Sequence, residues 1–375
     1  MFCKAREGYD LLKTIAYYIS EYGFGHATRS IAVIRRLCEK NEIRIIVCND
    51  FAYDFLNQSL NDLITEERVA LRKISNDIGY VLQPHSLTPD CDQFKISYQK
   101  FIGKLPLAIQ IETEFLSDQH VNLVIGDIPP APFKAAQTLS IPSIGISNFT
   151  WYTAYKELLP DADLKPLYNC YTSMDYFFAL AGSRERVWGR MGSKSFGFFS
   201  RSPQVEVVHK IRKTVNPTGD KTIVFFGLGM KIDAGNLAAY KLWSSLNCVF
   251  LVSSNTNIEG DNIYKIPIDD TESQNYIAAC DIVISKPGWG TVSEAVSFNK
   301  PLILVTPQKM QEDRNTIEYL KTNDGCELVE WKAMKEFEVT ADVLEKLNKQ
   351  KQRAGVDSEE VLNVIVEEVC GILGE

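Results

Sequence analysis

The sequence predicts an α/β protein with two units, each built around a parallel β-sheet. Short apolar runs alternate with amphipathic stretches in both halves of the chain, and the alternation restarts after a segment near residues 196–218 that is rich in Pro, Gly and Ser. The length of 375 residues agrees with two domains, because a domain usually holds about 100–200 residues. A hydrophobic content of 45% is ordinary for a chain that buries a core.

The first half contains apolar runs that are too continuous for half-exposed strands, which indicates a parallel sheet covered on both faces. These predicted strands are "TIAYYIS", "IRIIVCN", "VNLVIGD" and "SIGIS". Helical spacing is predicted over Ala27–Lys40 and Phe133–Leu139. The stretch Asp92–Ser117 also has helical spacing, but Pro106 predicts a kink or a break in it.

The second half repeats the pattern with the runs "KTIVFFGLG", "NCVFLVSS", "CDIVISKPG" and "KPLILVTP", and it ends in an amphipathic segment. The predicted organisation is a first domain over 1–195, a linker over 196–217, a second domain over 218–345 and a closing helix over 346–375. Ligands of open parallel sheets bind beyond the carboxyl ends of the strands, so a cleft between two domains that face each other is the expected site of chemistry.

Charge and composition exclude several classes of protein. A net charge of −8 disfavours a nucleic-acid partner, and no apolar run approaches the roughly 20 residues of a membrane span. The N-terminus has no apolar core of a secretory signal. The nine cysteines are scattered singly, as in proteins of the reducing cytosol, and no zinc site is expected. These observations predict a cytoplasmic protein without an integral membrane segment.

The segment "SKPGWGTVSEAVSFNKPLILVTPQKMQEDRNTIEYL" carries the strongest signal for a ligand site. A strand ends before Gly288, and a helix is predicted to begin at Thr291, with Glu294 one turn later. Glycines before a helix N-terminus favour phosphate binding, and a carboxylate inside the first turn can accept hydrogen bonds from ribose. The alternative is that Thr291 and Glu294 form a capping box that only stabilises the helix.

Two flanking stretches belong to the same edge of the predicted sheet. Gly227 and Gly229, with Lys231 nearby, could hold a diphosphate from the opposite side, although an ordinary turn is the more frequent explanation of such glycines. Gln311 and Glu312 lie in a predicted polar loop after the next strand. They could bind a polyhydroxylated group or be solvated loop positions.

This segment resembles the donor-binding signature of GT-B glycosyltransferases, which have two Rossmann-like domains facing across a cleft. The similarity is to plant small-molecule glucosyltransferases and to the bacterial enzyme that makes lipid II, and it rests on Ser285, Gly288, Thr291, Glu294, Pro301, Pro307, Glu312 and Asn315. The resemblance implies that Gly288 and Thr291 contact the diphosphate, that Glu294 holds the ribose, and that Gln311 and Glu312 hold the sugar. Lys286-Pro287 replaces the usual His-Cys, so the donor sugar is not determined.

The opening loop "GFGHATR" contains Gly23, Gly25, His26 and Arg29. It resembles the N-terminal, transferase-like part of plant L-arabinokinases and the loop of a UDP-sugar hydrolase of pseudaminic acid synthesis. Imidazole is suited to deprotonate an attacking hydroxyl or water near neutral pH, so His26 is the predicted base. Asp127, at the end of its strand, is the second choice.

Further residues are expected near an acceptor. Asp77 and His85 lie in one loop, and Asn148, Phe149 and Trp151 follow the strand "SIGIS". The two aromatic residues could equally be core.

Five functions are weighed against one another. A dehydrogenase is disfavoured because Thr28 occupies the third glycine position of the dinucleotide fingerprint. A metal-dependent transferase is disfavoured because the Asp-x-Asp pairs at 90–92 and 161–163 follow no apolar strand. The sequence therefore predicts a metal-independent glycosyltransferase without a cofactor. Its co-substrate is a nucleotide-sugar, with UDP favoured, and its acceptor is a glycan, a lipid-linked or a small molecule. A UDP-sugar hydrolase and a non-catalytic nucleotide-sugar-binding protein remain alternatives.

Overall fold

Two compact units make up the chain in the computed structural model, which describes residues 12–83, 89–229, 237–306, 310–323, 325–348 and 357–374. The first unit is formed by the described residues up to Val81, by Asp90–Phe196 and by the chain from Glu359 onward. The second consists mainly of Gly197–Ser358. Each unit contains one sheet, and both sheets are parallel throughout.

The first sheet has the strand order β3-β2-β1-β4-β5-β6-β7. Its strands are β1 (Lys13–Ile19), β2 (Ile43–Cys48), β3 (Val69–Arg72), β4 (Leu123–Asp127), β5 (Ser143–Ser147), β6 (Tyr176–Ala179) and β7 (Gly192–Ser195). Successive residues of β1 are buried on both faces, as expected for a central strand with helices on either side. The strands predicted for this half of the chain are therefore confirmed.

Helices of the first unit cover the sheet and connect its strands. They are α1 (Phe24–Cys38), α2 (Tyr53–Ser59), α3 (Asn61–Thr65), α4 (Cys91–Asp118), α5 (Ala131–Leu139), α6 (Trp151–Ala154) and α7 (Asp161–Tyr171). Helix α4 continues through Pro106, so of the kink or break predicted there the break does not occur, and a kink stays a prediction.

The second sheet has the order β10-β9-β8-β11-β12-β13. Its strands are β8 (Thr222–Gly227), β9 (Cys248–Ser253), β10 (Ile263–Ile266), β11 (Ile282–Ser285), β12 (Leu302–Thr306) and β13 (Glu327–Glu330). The helices around it are α8 (Val205–Val215), α9 (Ser273–Ala279), α10 (Trp289–Ser297), α11 (Gln311–Thr322) and α12 (Ala341–Asn348). A final helix, α13 (Ser358–Gly374), ends the described chain.

Strand order locates the binding edge of each unit. The order reverses between β1 and β4 in the first sheet and between β8 and β11 in the second. Loops diverge at such a switch point, and the crevice that they leave beyond the carboxyl ends of the strands is where open parallel sheets bind ligands. The loops after β1 and β4, and those after β8 and β11, are therefore the places to look for function.

Within the part of the chain that the structure describes, no helix combines the length and the apolar character of a membrane span.

Candidate functional site

The switch point of the first unit holds the opening motif. Gly23 precedes α1 with φ of 83°, a left-handed conformation that favours glycine, and the helix begins directly after it. Gly25 and His26 therefore lie in the first turn of α1 and not in a loop, which corrects the sequence-based prediction. Gly25 is exposed, whereas His26 is buried with 6% of its surface accessible.

A buried ion pair joins α1 to the end of β4. Arg29 Nε donates to Asp127 Oδ2 at 2.6 Å, and Arg29 Nη2 donates to Asp127 Oδ1 at 2.5 Å. Arg29 also donates to Asn148 Oδ1 at 2.7 Å and to Ser147 Oγ at 2.9 Å, which ties it to the end of β5. The guanidinium thus fixes three adjacent chain segments at the carboxyl edge of the sheet.

His26 is the second partner of Asp127, with 3.0 Å between Nδ1 and Oδ1. The Nη2 atom of Arg29 is 2.9 Å from the same ring nitrogen. Because Nη2 has only two hydrogens, and a carboxylate and a hydroxyl oxygen accept them, it has none left for the ring. We therefore infer that His26 Nδ1 carries the proton and donates it to Asp127. This tautomer leaves the basic lone pair on Nε2.

The charge of Asp127 depends on these neighbours. Burial alone raises the pKa of a carboxyl group, but the Arg29 guanidinium and His26 outweigh burial and hold the pKa of Asp127 at about 2. Asp127 is therefore an ionised acceptor at neutral pH. It is suited to orient His26 and is poorly suited to act as the base itself.

Residues predicted near an acceptor lie beside this cluster. Phe149 packs edge-on against the His26 ring, with 5.7 Å between centroids. Asp77 Oδ2 accepts a hydrogen bond of 2.8 Å from the indole of Trp151, and burial raises the pKa of Asp77 to about 7. Both aromatic residues are buried, which favours the core role that the sequence left open. His85 lies outside the described residues.

The switch point of the second unit brings the two predicted glycine turns together. Gly227 ends β8 and is paired in register with Ser285 at the end of β11. A methyl group placed on Gly229 or on Gly288 would lie 3.2 Å from Cε of Lys286, so this side chain passes between the turns. Gly229 has φ of 89°. Lys231 lies outside the described residues.

Helix α10 begins at Trp289, with Gly288 at its N-cap, and not at Thr291 as predicted. Thr291 is consequently inside the first turn, and no side chain caps the helix. The capping-box alternative for Thr291 and Glu294 is wrong. Helix α10 starts just after β11 at the switch point, so its first-turn N–H groups lie at the edge where an anion site is expected.

Glu294 is buried and forms an ion pair that the sequence did not predict. Its Oε1 accepts a hydrogen bond of 3.1 Å from Arg201 Nη2. Arg201 also donates to the carbonyl oxygen of Thr271 and to Ser273 Oγ, at 2.8 and 3.0 Å. Burial raises the pKa of Glu294, and Arg201 opposes that effect. Nothing in the local pattern around Arg201 signals a partner 93 residues away.

Gln311 and Glu312 begin helix α11, so the polar loop predicted for them is wrong. Gln311 is half-buried and Glu312 is 8% exposed. Both follow β12, the strand next to β11, and therefore belong to the same edge of the sheet as the glycine turns.

Part of the second unit matches a known family, and most of the chain matches part of one relative. Residues 245–368 match the family model "Glycosyltransferase family 28 C-terminal domain". The chain is 28% identical over 332 residues to an L-arabinokinase of Arabidopsis thaliana, a match that covers 84% of this chain and 30% of that protein. The chain thus spans about a third of the length of this relative.

Solved structures share the fold at low identity. SnogD, a glycosyltransferase from Streptomyces nogalater, is 12% identical with a TM-score of 0.62 and covers 96% of this chain and 100% of its own. Phytolacca americana UGT2, solved with UDP-2fluoro-glucose and pterostilbene, is 12% identical with a TM-score of 0.64 and coverages of 97% and 100%. Arabidopsis thaliana UGT89C1, solved with UDP-L-rhamnose, is 13% identical with a TM-score of 0.60 and coverages of 95% and 99%. The chain has the α/β fold of GT-B glycosyltransferases, and its predicted resemblance to them is confirmed.

Proposed function

We propose that this protein transfers a sugar from a UDP-sugar to an acceptor hydroxyl and binds the donor through its second unit. The observation that carries the proposal is the convergence of Gly229, Lys286 and Gly288 with the N-terminus of α10 at the switch point of a parallel sheet. Two glycine turns, a cation and the N–H groups of a helix N-terminus in one place suit a diphosphate. The family model over this region and the two UDP-sugar complexes of the same fold support it.

Donor recognition follows from this arrangement. The amide groups around Gly227, Gly288 and Thr291 would bind the phosphates, and Lys286 would supply positive charge without a metal. Glu294 would accept hydrogen bonds from the ribose. Gln311 and Glu312 would bind the sugar, as the resemblance to donor-binding sites implies.

In the proposed catalytic step, His26 is the general base. Its Nε2 would take the proton of the acceptor hydroxyl while the oxygen attacks the anomeric carbon and the UDP diphosphate leaves. Asp127 would stabilise the imidazolium that forms, because its carboxylate already accepts the Nδ1 proton. The acceptor is a glycan, a lipid-linked molecule or a small molecule, and the location is the cytoplasm.

The first test is calorimetric titration of the protein with UDP and with a panel of UDP- and dTDP-sugars, followed by an assay of UDP release. Binding with slow release that an acceptor accelerates supports transfer. Rapid release with free sugar in the absence of acceptor indicates a hydrolase, and binding without any turnover indicates a binding protein. Absence of binding to every nucleotide overturns the proposal.

Two variants test catalysis and donor binding separately, because His26 and Glu294 lie in different units. His26→Ala is expected to lower turnover at least a hundredfold while UDP affinity stays unchanged. Glu294→Gln is expected to weaken UDP binding. Gln retains an oxygen for Arg201, whereas Glu294→Ala would remove the closer of the two carboxylates that this buried guanidinium meets, Glu294 and Glu272, and would confuse binding with stability.

A further inference from the structure

Asp313 is a buried carboxylate without a structural explanation. It lies in the first turn of α11, directly after Gln311 and Glu312, and only 5% of its surface is exposed. Its Oδ2 atom is buried and has no hydrogen-bond partner in the described part of the chain. Among the buried side-chain atoms of the described residues that lack a partner, it is the one carboxylate oxygen.

Lys286 is the neighbour that connects Asp313 to the donor loops. Burial raises the pKa of Asp313, and the charges of Lys286 and then of Arg314 oppose that rise, so Asp313 lies in the field of the Lys286 ammonium. No ion pair within 4.0 Å joins Lys286 to Asp313 in the described ranges. The same Lys286 side chain lies against Gly229 and Gly288.

A purely structural role does not explain why an oxygen of Asp313 is buried without a hydrogen-bond partner. A first-turn carboxylate does favour the helix dipole, but it can do so from the surface, where water solvates it. Leaving a carboxyl oxygen buried without a hydrogen-bond partner is costly, and such atoms are few in native proteins. A cation and a carboxyl group that form no direct ion pair can each meet a different group of one ligand.

The chemistry of a nucleotide-sugar supplies both groups. The sugar is bonded directly to the terminal phosphate of the diphosphate, so a cation that meets this phosphate and an acceptor that meets a sugar hydroxyl must be near neighbours. A sugar hydroxyl that donates to a carboxylate forms a charge-assisted hydrogen bond, which is about twice as strong as one between neutral groups.

We propose that Asp313 is a specificity-determining residue, which accepts a hydrogen bond from one hydroxyl of the donor sugar through Oδ2. It therefore favours a neutral sugar that carries this hydroxyl. A deoxy-sugar lacks the donor, and a uronic acid brings a third carboxyl group to a site that already holds those of Glu312 and Asp313. This inference rests on the proposed function.

The experiment compares Asp313→Asn with the wild type by calorimetric titration with UDP, with the preferred UDP-sugar, and with analogues of that sugar that each lack one hydroxyl. We expect Asp313→Asn to bind UDP within twofold of the wild type and to bind the UDP-sugar about tenfold or more weakly, since a lost hydrogen bond to a charged group has about this effect. One deoxy analogue should bind the wild type poorly and lose nothing further in the variant, which identifies the hydroxyl.

The melting temperature distinguishes a role of Asp313 in sugar binding from a purely structural role. Asp313→Asn should melt at the same temperature as the wild type or higher, because it removes a buried carboxyl group whose Oδ2 accepts no hydrogen bond in the described part of the chain. The matched control is Asp281→Asn. Asp281 directly precedes β11, at the end of the sheet opposite to the glycine turns. Its carboxylate accepts hydrogen bonds from Ile223 N at 2.9 Å and from Arg212 Nη1 at 3.1 Å. The control variant should melt lower and leave both affinities unchanged.

The outcomes are distinguishable. Equal loss of UDP and UDP-sugar affinity, unchanged affinity for both, or a lower melting temperature of Asp313→Asn overturns the role of Asp313 alone. A wild type that binds no nucleotide overturns the proposed function, and the inference with it.

Discussion

Two buried aspartates in the first unit show how neighbours set the state of the same side chain. Asp127 and Asp77 are both almost fully buried. Asp127 meets a guanidinium, and its pKa is held at about 2. Asp77 accepts hydrogen bonds from the Trp151 indole and from the backbone of Glu21, both uncharged donors, and burial raises its pKa to about 7. Charge compensation, more than burial, decides which of them is ionised.

A pH-dependent stability follows for Asp77. Its pKa is higher in the folded state, at about 7, than the ordinary 3.8 expected on unfolding. Its favourable contribution is therefore complete below about pH 4 and is lost as the pH rises through 7. Asp77→Asn does not titrate, so the variant should lose less stability than the wild type between pH 4 and 8, with a difference of about 2–4 kcal/mol. Hydrogen exchange of the β1 amides across this pH range measures it.

The control is Asp118→Asn, which removes an exposed carboxylate from α4 and should leave the pH profile unchanged. Parallel profiles for the wild type and Asp77→Asn would contradict the prediction.

Among the helices, α1 and α10 each follow a glycine at the N-cap position, and the glycine is needed for a different reason in each. Gly23 has φ of 83°, so the backbone itself requires glycine before α1. Gly288 has φ of −65°, which any residue adopts, and its constraint is the Lys286 side chain, whose Cε would lie 3.2 Å from a methyl group added there. The second glycine is therefore explained by space for a neighbour or a ligand and not by backbone geometry.

Gly288→Ala tests this explanation. Its backbone accepts alanine, so we expect the stability to change by less than about 1 kcal/mol. The methyl group should displace the end of Lys286 and obstruct the approach of a phosphate, so UDP affinity should fall about tenfold or more, measured by calorimetry. Gly103→Ala, inside α4 with nothing within 4 Å of the new methyl group, is the control and should leave UDP affinity unchanged. Unchanged affinity in Gly288→Ala would remove the glycine from the donor site.

At the scale of the whole molecule, the last helix belongs to the first unit. Helix α13 follows the second unit in sequence, yet its residues from Glu359 onward group with the first. Arg36 of α1 forms an ion pair of 2.6 Å with Glu359, and Lys194 of β7 pairs with Glu368. The first unit is therefore built from both ends of the described chain.

Ile365→Ala should accordingly destabilise the first unit. Ile365 is fully buried in α13, and its truncation should cost about 2–5 kcal/mol. Hydrogen exchange should show lost protection in β1 and β4, with β8 and β11 unaffected. Val364→Ala, at an exposed position of the same helix, should change neither unit. Lost protection confined to the second sheet would contradict this assignment.

Local sequence patterns predict the strand ends of this protein better than the exact residues at which its helices begin. Helix starts were misplaced at Gly25–His26, at Thr291 and at Gln311, because glycine and polar residues are typical of loops but are also accepted in a first helical turn. Gly227 and Gly288 were expected at one edge because parallel strands end together, and the register confirms that placement.

Hydrophobic periodicity and glycine placement act over short distances, so they were sufficient to predict the α/β class, the two parallel sheets and the strand ends at which the motifs lie. The partners of the buried charges were not predictable from these local patterns and are specified by tertiary contacts. Arg29 meets Asp127 across 98 residues, Arg201 meets Glu294 across 93, and Asp313 lies in the field of Lys286. Such pairs form because burial makes an uncompensated charge costly, and only the folded chain specifies which groups are buried side by side.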